Sequence, residues 1–204
     1  DLIFDLIVKP PERINPFEAA KKYFRIKNDH TVGLYDPTVT PYMKEPMEVM
    51  ASDSGYKTIV FVGPAQVGKT NTFLAYLMYC LVIDPADLSL IEKAQTEARD
   101  YSVARFEEFA SVNAEILDPL FKRGKTSKSI FQKFFTNGMI LRFGWPSRNQ
   151  LSGKAIPRLW GSDYDRWPDD LGGEGEAFPL MDTRRTTFGP RSKVIVESSP
   201  SRLP

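Results

Sequence analysis

Short apolar runs alternate with helix-forming segments from residue 57 onward. Residues 58–62 form a continuous β-branched and aromatic run that ends on a glycine, a pattern typical of a strand buried on both faces. A helix is predicted from about residue 68 to 84, where an Asp-Pro pair ends it. Residues 88–91 predict a second strand, and residues 95–109 have helix-forming composition. This alternation predicts an α/β fold, with a parallel sheet and helices on both faces.

The second half of the chain predicts an inserted β-hairpin and two more strands. The hairpin strands are residues 130–135 and 139–145, and the Asn-Gly pair at 137–138 predicts a two-residue turn between them. Further short apolar runs lie at residues 158–160 and 193–196. Each run ends where polar residues gather, so both predict polar side chains at the carboxyl end of a strand.

The N-terminal part predicts a helical lead-in over residues 1–36, followed by the main domain over residues 37–204. Asn15 precedes a proline and a glutamate, which is typical of an N-cap, and predicts a helix over about residues 17–25. A second helix is predicted to begin at Thr40-Pro41, and Pro46 should kink or shorten it.

Composition and charge indicate no global preference for nucleic acid or for a membrane as the partner. The chain has 204 residues, of which 42% are hydrophobic and 26% charged, as expected of a single globular domain or of one domain plus an appendage. Its 27 basic and 26 acidic residues leave a formal charge of +1, so any DNA contact must be local. The single cysteine, Cys80, excludes an internal disulfide, and the apolar run around it is shorter than the roughly 20 residues that span a bilayer. We therefore expect a cytosolic chain without a membrane segment, and the first residue, Asp1, suggests a fragment.

Residues 63–70 form a complete Walker A phosphate loop between a predicted strand and a predicted helix. The backbone N–H groups of such a loop hold the phosphates of a nucleotide, and the helix dipole adds positive charge. Lys69 would reach the β- and γ-phosphates, and Thr70 would offer its hydroxyl to Mg²⁺. The predicted ATP-binding residues are Gly63, Pro64, Ala65, Gln66, Val67, Gly68, Lys69 and Thr70.

A phosphate loop needs acids for hydrolysis, one for the magnesium shell and one to polarise the attacking water. Asp163 and Asp165 are the best candidates because they follow the predicted strand at residues 158–160. Together with Lys69 they form the predicted catalytic set. The last predicted strand, residues 193–196, would place the hydroxyls of Ser198 and Ser199 beside these acids, at the switch between strands.

These motifs, taken in order, resemble the ATPase domain of large terminase subunits, the DNA-packaging motors of tailed bacteriophages. The features that carry the resemblance are the Walker A loop, the Asn-Gly hairpin, residues 149–153, the run at residues 163–168 and the Ser-Ser-Pro at 198–200. The similarity is greatest to the lambda-type branch and covers about residues 37–204. It depends on the ordered set of motifs rather than on any one of them.

The resemblance implies an additional-strand RecA-like P-loop ATPase that drives double-stranded DNA into an empty capsid. The implied partners are the portal protein, the small terminase subunit and further copies of the chain in a ring on the procapsid. The implied location is the host cytoplasm during virion assembly. The nuclease of full-length terminases is not expected here, because no second carboxylate cluster is left once the two predicted acids are assigned.

The resemblance also implies roles for single residues. Gly63, Gly68, Lys69 and Thr70 match the phosphate loop of the family, and the hydroxyl pair at 198–199 matches the motif that couples hydrolysis to movement. The segment at residues 40–47 resembles the adenine-side segment upstream of the phosphate loop. Tyr42 is the candidate in that segment for stacking on the base.

The acidic run departs from the family pattern, which has aliphatic residues, then Asp-Glu, a spacer and Asp. The simplest alignment places Ser162 at the metal-binding aspartate and Asp163 at the catalytic glutamate. In the alternative alignment, Asp163 binds the metal and Asp165, Glu174 or Glu176 activates the water. The sequence leaves both alternatives open, and we provisionally give Asp163 the metal.

The source of a transition-state arginine and of DNA contacts is also open. The phosphate loop contains no arginine, so Arg142, Arg148 or a neighbouring subunit would have to supply one. Basic residues at 122–125 and 128 could contact DNA phosphates. Two competing functions remain: a nucleotide-binding assembly module that hydrolyses ATP poorly, and another P-loop motor such as a helicase, for whose second lobe the chain has no room.

Overall fold

Eight strands lie in the residues that the computed structural model describes, which are 12–28, 31–122 and 129–199. They are β1 (Arg25–Asn28), β2 (Thr31–Leu34), β3 (Thr58–Val62), β4 (Leu88–Ile91), β5 (Gln132–Phe134), β6 (Ile140–Gly144), β7 (Arg158–Gly161) and β8 (Lys193–Ser198). The last six form one sheet in the order β3-β8-β7-β4-β6-β5, and adjacent strands are parallel except β5 and β6. The predicted α/β fold with a parallel-dominated sheet and an inserted hairpin is therefore confirmed.

Helices cover both faces of this sheet. In chain order they are α1 (Pro16–Tyr23), α2 (Lys44–Val49), α3 (Lys69–Val82), α4 (Gln95–Asp100), α5 (Glu107–Val112), α6 (Ala114–Leu117), α7 (Arg148–Leu151) and α8 (Ala177–Arg185). Short 3₁₀ segments lie at Pro41–Met43, Asp118–Leu120, Tyr164–Arg166 and Thr186–Arg191. A π-helical turn at Tyr101–Phe106 joins α4 to α5, so the helix predicted over residues 95–109 is present but contains a turn of a different type.

The burial of each strand follows its position in the sheet. β4 and β7 are buried along their whole length because helices cover both of their faces. β3 has the predicted bounds, but the expectation that it is buried on both faces is wrong. It is the edge strand, and its side chains at Val60 and Val62 are 66% and 60% exposed.

The helix after the phosphate loop, α3, packs into the centre of the molecule. Ten consecutive side chains, from Thr72 to Leu81, are buried, because the sheet lies on one side of α3 and α1 on the other. Trp160 of β7 packs edge-on against Phe73 of α3, with ring centroids 5.2 Å apart. The apolar run around Cys80 is thus explained by burial. In the part of the chain that the structure describes, no helix has both the length and the apolar character to cross a bilayer.

The N-terminal region contains more than the predicted helix. Asn15 Oδ1 accepts a hydrogen bond from Glu18 N at 2.9 Å, which confirms the predicted N-cap of α1. The helix ends at Tyr23 because the chain then enters an antiparallel ribbon of β1 and β2. The expectation of a helical lead-in did not include this ribbon, and all four residues of β2 are exposed.

The structure corrects the predicted length of the hairpin loop and shows where Pro46 lies. Gly138 N donates to Phe135 O at 3.1 Å, and Phe135 N donates to Met139 O at 3.0 Å, so the hairpin loop has three residues rather than the predicted two. Gly138, at φ +88, occupies the left-handed position that this longer loop requires. Pro46 lies in the first turn of α2, where its missing N–H has no intrahelical partner.

Candidate nucleotide-binding site

The phosphate loop connects β3 to α3 at the carboxyl edge of the sheet. Gln66 and Gly68 adopt left-handed φ values of 62° and 86°, which turn the chain sharply before the helix. Gly68 is the N-cap of α3, so the unpaired N–H groups of a 14-residue helix begin here. Gly63 N donates to Ser198 O at 3.1 Å and fixes the loop to β8. The loop therefore presents backbone donors and a positive helix end at one place, as phosphate binding requires.

Lys69 lies across its own loop. Its Nζ atom donates to Pro64 O at 2.9 Å, to Gly63 O at 3.4 Å and to Ser199 Oγ at 2.5 Å. The carboxylate of Glu197 is 4.0 Å from the same nitrogen. The structure therefore brings the predicted phosphate-binding lysine together with Ser199, one of the two predicted hydroxyls.

A cavity of about 650 Å³ opens in front of the loop. It is bounded by the phosphate loop, the first turn of α3, the carboxyl ends of β4, β7 and β8, and the helical run from α4 through the π turn. Ala65, Gln66, Gly68, Lys69 and Thr70 are the loop residues that line it. A cavity at the switch point of a parallel sheet, with a helix N-terminus in its wall, is a common nucleotide-binding arrangement.

Three carboxylates reach this cavity from the ends of three different strands, beside Glu97 and Asp100 of α4. Glu92 follows β4, Asp163 follows β7 after Ser162, and Glu197 lies near the end of β8. Glu92 and Glu197 are only 7% and 6% exposed. Asp163 has a left-handed φ of 49° and lies 3.7 Å from Lys93 Nζ. Parallel strands bring these side chains together because their carboxyl ends meet at one edge.

Burial raises the pKa of both buried glutamates. The pKa of Glu92 rises to about 7, chiefly through loss of hydration and then through the charges of Glu197 and Asp163, while the Ser162 hydroxyl opposes the shift. Burial also raises the pKa of Glu197, against the hydrogen bond from Ser162 and the charge of Lys69. Loss of hydration therefore disfavours the charged forms of both carboxyls, which a cation in the cavity would stabilise.

The Glu92→Gln variant is expected to gain stability at neutral and higher pH but not at pH 4. The unfolded chain ionises this carboxyl above about pH 4.5, but the folded chain does so only above about pH 7. The free energy of unfolding should therefore fall between these pH values, and the penalty should persist at higher pH. Glutamine removes the penalty, so we expect a gain on the order of 2 kcal/mol at pH 8 and none at pH 4.

Urea unfolding of the parent and Glu92→Gln at both pH values measures this difference. The exposed Glu45→Gln is the matched control, for which we expect a change below about 0.5 kcal/mol. An equal effect of Glu92→Gln at pH 4 and pH 8 would contradict the raised pKa.

Two further predicted residues, Asp165 and Ser198, contact each other and do not line the cavity. Asp165 N donates to Ser198 Oγ at 3.1 Å, and the Ser198 hydroxyl donates to the Asp165 carboxylate. Neither residue is among those that line the cavity, whereas Asp163 and Ser199 are. The contact joins β8 to the Tyr164–Arg166 segment after β7, and the last residue of the predicted Ser-Ser-Pro, at position 200, lies outside the described residues.

The adenine-side candidate lies against the back of the phosphate loop. The Tyr42 hydroxyl donates to Val67 O at 3.3 Å, and the ring is 55% exposed. It does not line the described cavity. Its predicted stacking on a base therefore stays a prediction.

The structure places the other candidates outside the cavity. Arg142 pairs with Asp87 at 2.8 Å, Arg148 pairs with Glu174 at 2.7 Å, and Glu176 precedes α8 as its N-cap residue. Of the basic residues at 122–125 and 128, only residue 122 is among the described residues.

The sequence analysis missed several residues that line the cavity, three of them charged residues at strand ends or on the π turn. These three are Glu92, Arg105 of the π turn and, as a cavity carboxylate, Glu197. The available signal was the position of Glu92 immediately after β4, the same signal that identified Asp163 after β7. Arg105 is a new candidate for contact with phosphates, and nothing in its local sequence distinguished it.

Within the described residues, no three or more His, Cys, Asp or Glu side chains are arranged to hold a metal ion by themselves. A magnesium–nucleotide site does not need such a cluster. Mg²⁺ commonly binds through one or two protein oxygens, several waters and the phosphates of its substrate. Thr70 and the carboxylates at the cavity floor are oxygen donors of this kind.

Comparison with known proteins gives one family and several similar structures. The family model described as "Phage terminase large subunit gpA, ATPase domain" matches residues 29–203. The HK97 bacteriophage large terminase is 12% identical, with a TM-score of 0.61, over 91% of this chain and 38% of that chain. The Thermus phage P74-26 large terminase ATPase domain is 14% identical, with a TM-score of 0.55, over 94% of this chain and 72% of that chain.

An arginine-to-alanine variant of the same Thermus phage domain gives a TM-score of 0.53 at 14% identity. At these identities the structural matches show the fold alone. This chain spans 38% of the length of the HK97 chain. No curated protein matches the chain.

Proposed function

The chain belongs to the family of phage terminase large subunit ATPase domains, and from this premise we propose that it hydrolyses ATP to drive double-stranded DNA into a procapsid. The observation that supports the proposal best is the meeting of Lys69 with carboxylates from neighbouring strands in one cavity in front of the phosphate loop. Phosphoryl transfer needs positioning and charge stabilisation more than covalent chemistry, and this arrangement supplies both.

We propose that the loop residues hold the triphosphate and that Mg²⁺ binds with them. Lys69 would exchange the carbonyl oxygens of its own loop for phosphate oxygens. Thr70, in the first turn of α3, would offer its hydroxyl to Mg²⁺, which supplies neutralisation of phosphate charge when bound. Arg105, or an arginine of a neighbouring subunit, would stabilise charge in the transition state.

We propose that Asp163 polarises the attacking water, which is its role in the simplest alignment. Asp163 lines the cavity, and Lys93 keeps a positive charge beside its carboxylate. The alternative assignment to Asp165 has less support, because the carboxylate of Asp165 accepts a hydrogen bond from Ser198 away from the cavity. We propose that Asp165 instead positions Ser198, while Ser199 contacts Lys69 and senses the nucleotide.

The proposed partners are double-stranded DNA, the portal protein, the small terminase subunit and further copies of the chain in a ring on the procapsid. Membership of the family supports them. The proposed place of action is the host cytoplasm during virion assembly.

Phosphate release per chain tests the proposal when it is measured at increasing protein concentration, with and without portal-bearing procapsids and double-stranded DNA. We expect weak hydrolysis by the isolated chain and at least a tenfold rise when subunits can close a ring, since a neighbouring subunit can then complete the site. A rate of phosphate release per chain that does not change with assembly or with DNA would contradict the proposed packaging motor.

One observation favours a second candidate function. Ser162 stands where the family pattern has a metal-binding aspartate, which fits a nucleotide-binding assembly module that turns over slowly. Tight nucleotide binding without turnover under every assembly condition would support that alternative.

A further inference from the structure

Two side chains on neighbouring strands share a hydrogen bond at the floor of the cavity. The Ser162 hydroxyl donates to Glu197 Oε1 at 2.8 Å. Gly161 of β7 pairs with Val196 of β8, so Ser162 and Glu197 occupy the next position along the same parallel pair of strands. The register of the sheet therefore sets this contact, and the hydroxyl fixes one oxygen of the carboxylate.

The second oxygen of this carboxylate is buried without a hydrogen-bond partner. Glu197 is 94% buried, and its Oε2 atom is unsatisfied in the described structure. The nearest cation is Lys69 Nζ, at 4.0 Å, too far for a hydrogen bond. A buried carboxylate oxygen without a hydrogen bond is costly, and at the wall of a binding cavity such an oxygen is a candidate to bind a ligand.

Thr70 and Lys69 line the same cavity as this oxygen, so the expected ligand is a cation that accompanies phosphates. We propose that Glu197, oriented by Ser162, supplies the carboxylate of the magnesium shell in the nucleotide site. In the simplest alignment, the family pattern has the metal-binding carboxylate at position 162. Here the proposed metal-binding carboxylate is Glu197 on the adjacent strand, and Ser162 orients it. This inference rests on the proposed ATPase function.

The other acids fit this role less well. Asp163 is directed toward Lys93 and its side chain is 29% exposed, and Asp165 is engaged by Ser198. Glu92 is buried, but no described ion pair joins it to Lys69, whereas Glu197 forms one. Glu197 is therefore the buried carboxylate that lies beside the phosphate-binding lysine.

Nucleotide affinity with and without Mg²⁺ tests the proposal without relying on turnover. Calorimetric titration with a non-hydrolysable ATP analogue gives the factor by which Mg²⁺ tightens binding. We expect Glu197→Gln to reduce that factor by about tenfold or more, because changes at metal-ligating groups and their supports commonly have this size. Binding without Mg²⁺ should not weaken, since a negative charge near the phosphates is removed. Mn²⁺ electron paramagnetic resonance with the same analogue should show a changed metal environment.

Two further variants separate a metal role from a general structural one. Glu18→Gln alters an exposed carboxylate that pairs with Lys21 outside the cavity, and should keep the full effect of Mg²⁺. The exchange Ser162→Asp with Glu197→Ser returns the carboxylate to the neighbouring strand and keeps a hydroxyl opposite it. We expect this double variant to recover most of the Mg²⁺ effect, and it decides the question if Glu197→Gln fails to fold.

A folded Glu197→Gln that keeps the full Mg²⁺ effect would overturn the proposal, and so would a folded exchange variant with none. If the parent chain binds no nucleotide at all, the proposed ATPase function is refuted, and so is the inference about Glu197. If the parent binds nucleotide and Mg²⁺ does not tighten binding, only the metal role of Glu197 is refuted.

Discussion

Lys69→Ala is expected to abolish ATP hydrolysis, with a loss of at least about 10²–10³-fold in turnover. The loss should be this large because Lys69 is the only cation of the phosphate loop and, in the proposed function, would act where charge develops on the phosphates. Nucleotide affinity should fall as well, since the lysine would also contact the ground-state phosphates. Phosphate release and calorimetric titration measure the two effects separately.

The control for this variant must separate loss of charge from loss of structure. Lys69 also donates to two carbonyl groups of its own loop, so a melting curve must accompany the kinetics. Lys44→Ala is the matched variant, because Lys44 is exposed and its Nζ atom lies 4.0 Å from Glu48 and 5.9 Å from the centroid of the Phe17 ring, outside the cavity. Hydrolysis should persist in Lys44→Ala. Undiminished turnover in a folded Lys69→Ala would refute the proposed ATPase.

Asp163→Asn is expected to lower turnover by about 10²–10⁴-fold while nucleotide binding changes by only a few-fold. A positioned acid or base commonly contributes a rate factor of this size, and asparagine keeps the shape of the side chain without its charge. Single-turnover phosphate release reports the chemical step, and titration with a non-hydrolysable analogue reports binding.

Asp165→Asn is the matched variant, since it makes the same chemical change two residues away. Its carboxylate contacts Ser198 and does not line the cavity, so we expect a smaller loss in the isolated chain. The reverse order of effects would favour the alternative alignment, with Asp165 as the acid that activates water. Unchanged hydrolysis in both variants would remove these acids from the mechanism.

These two experiments probe different parts of one site. Lys69 belongs to a loop whose geometry is local, set by β3, two left-handed residues and the start of α3. Asp163, Glu92 and Glu197 come from three strands and depend on the order of the sheet. A site of this kind can keep nucleotide binding while its hydrolytic part changes.

Local patterns predicted the main elements well. The bounds of β3 and β4 are as predicted, because short β-branched or apolar runs before a glycine or polar turn leave few alternatives. The family resemblance, drawn from the order of the motifs, is confirmed by the family model over residues 29–203. The β1–β2 ribbon and the exposure of β3 were missed, because each depends on what packs beside the strand and not on the strand itself.

By itself, the sequence determined the phosphate loop, the strands around it and the acids at 163 and 165, since each is encoded in a few consecutive residues. Only the tertiary structure decided which acids line the cavity in front of the phosphate loop. Strand order placed Glu92 and Glu197 at the cavity, although 105 positions separate them, and turned Asp165 toward Ser198. The physical reason is that parallel strands distant in sequence bring their carboxyl ends to one edge, where burial and neighbouring charge then set the chemistry of each group.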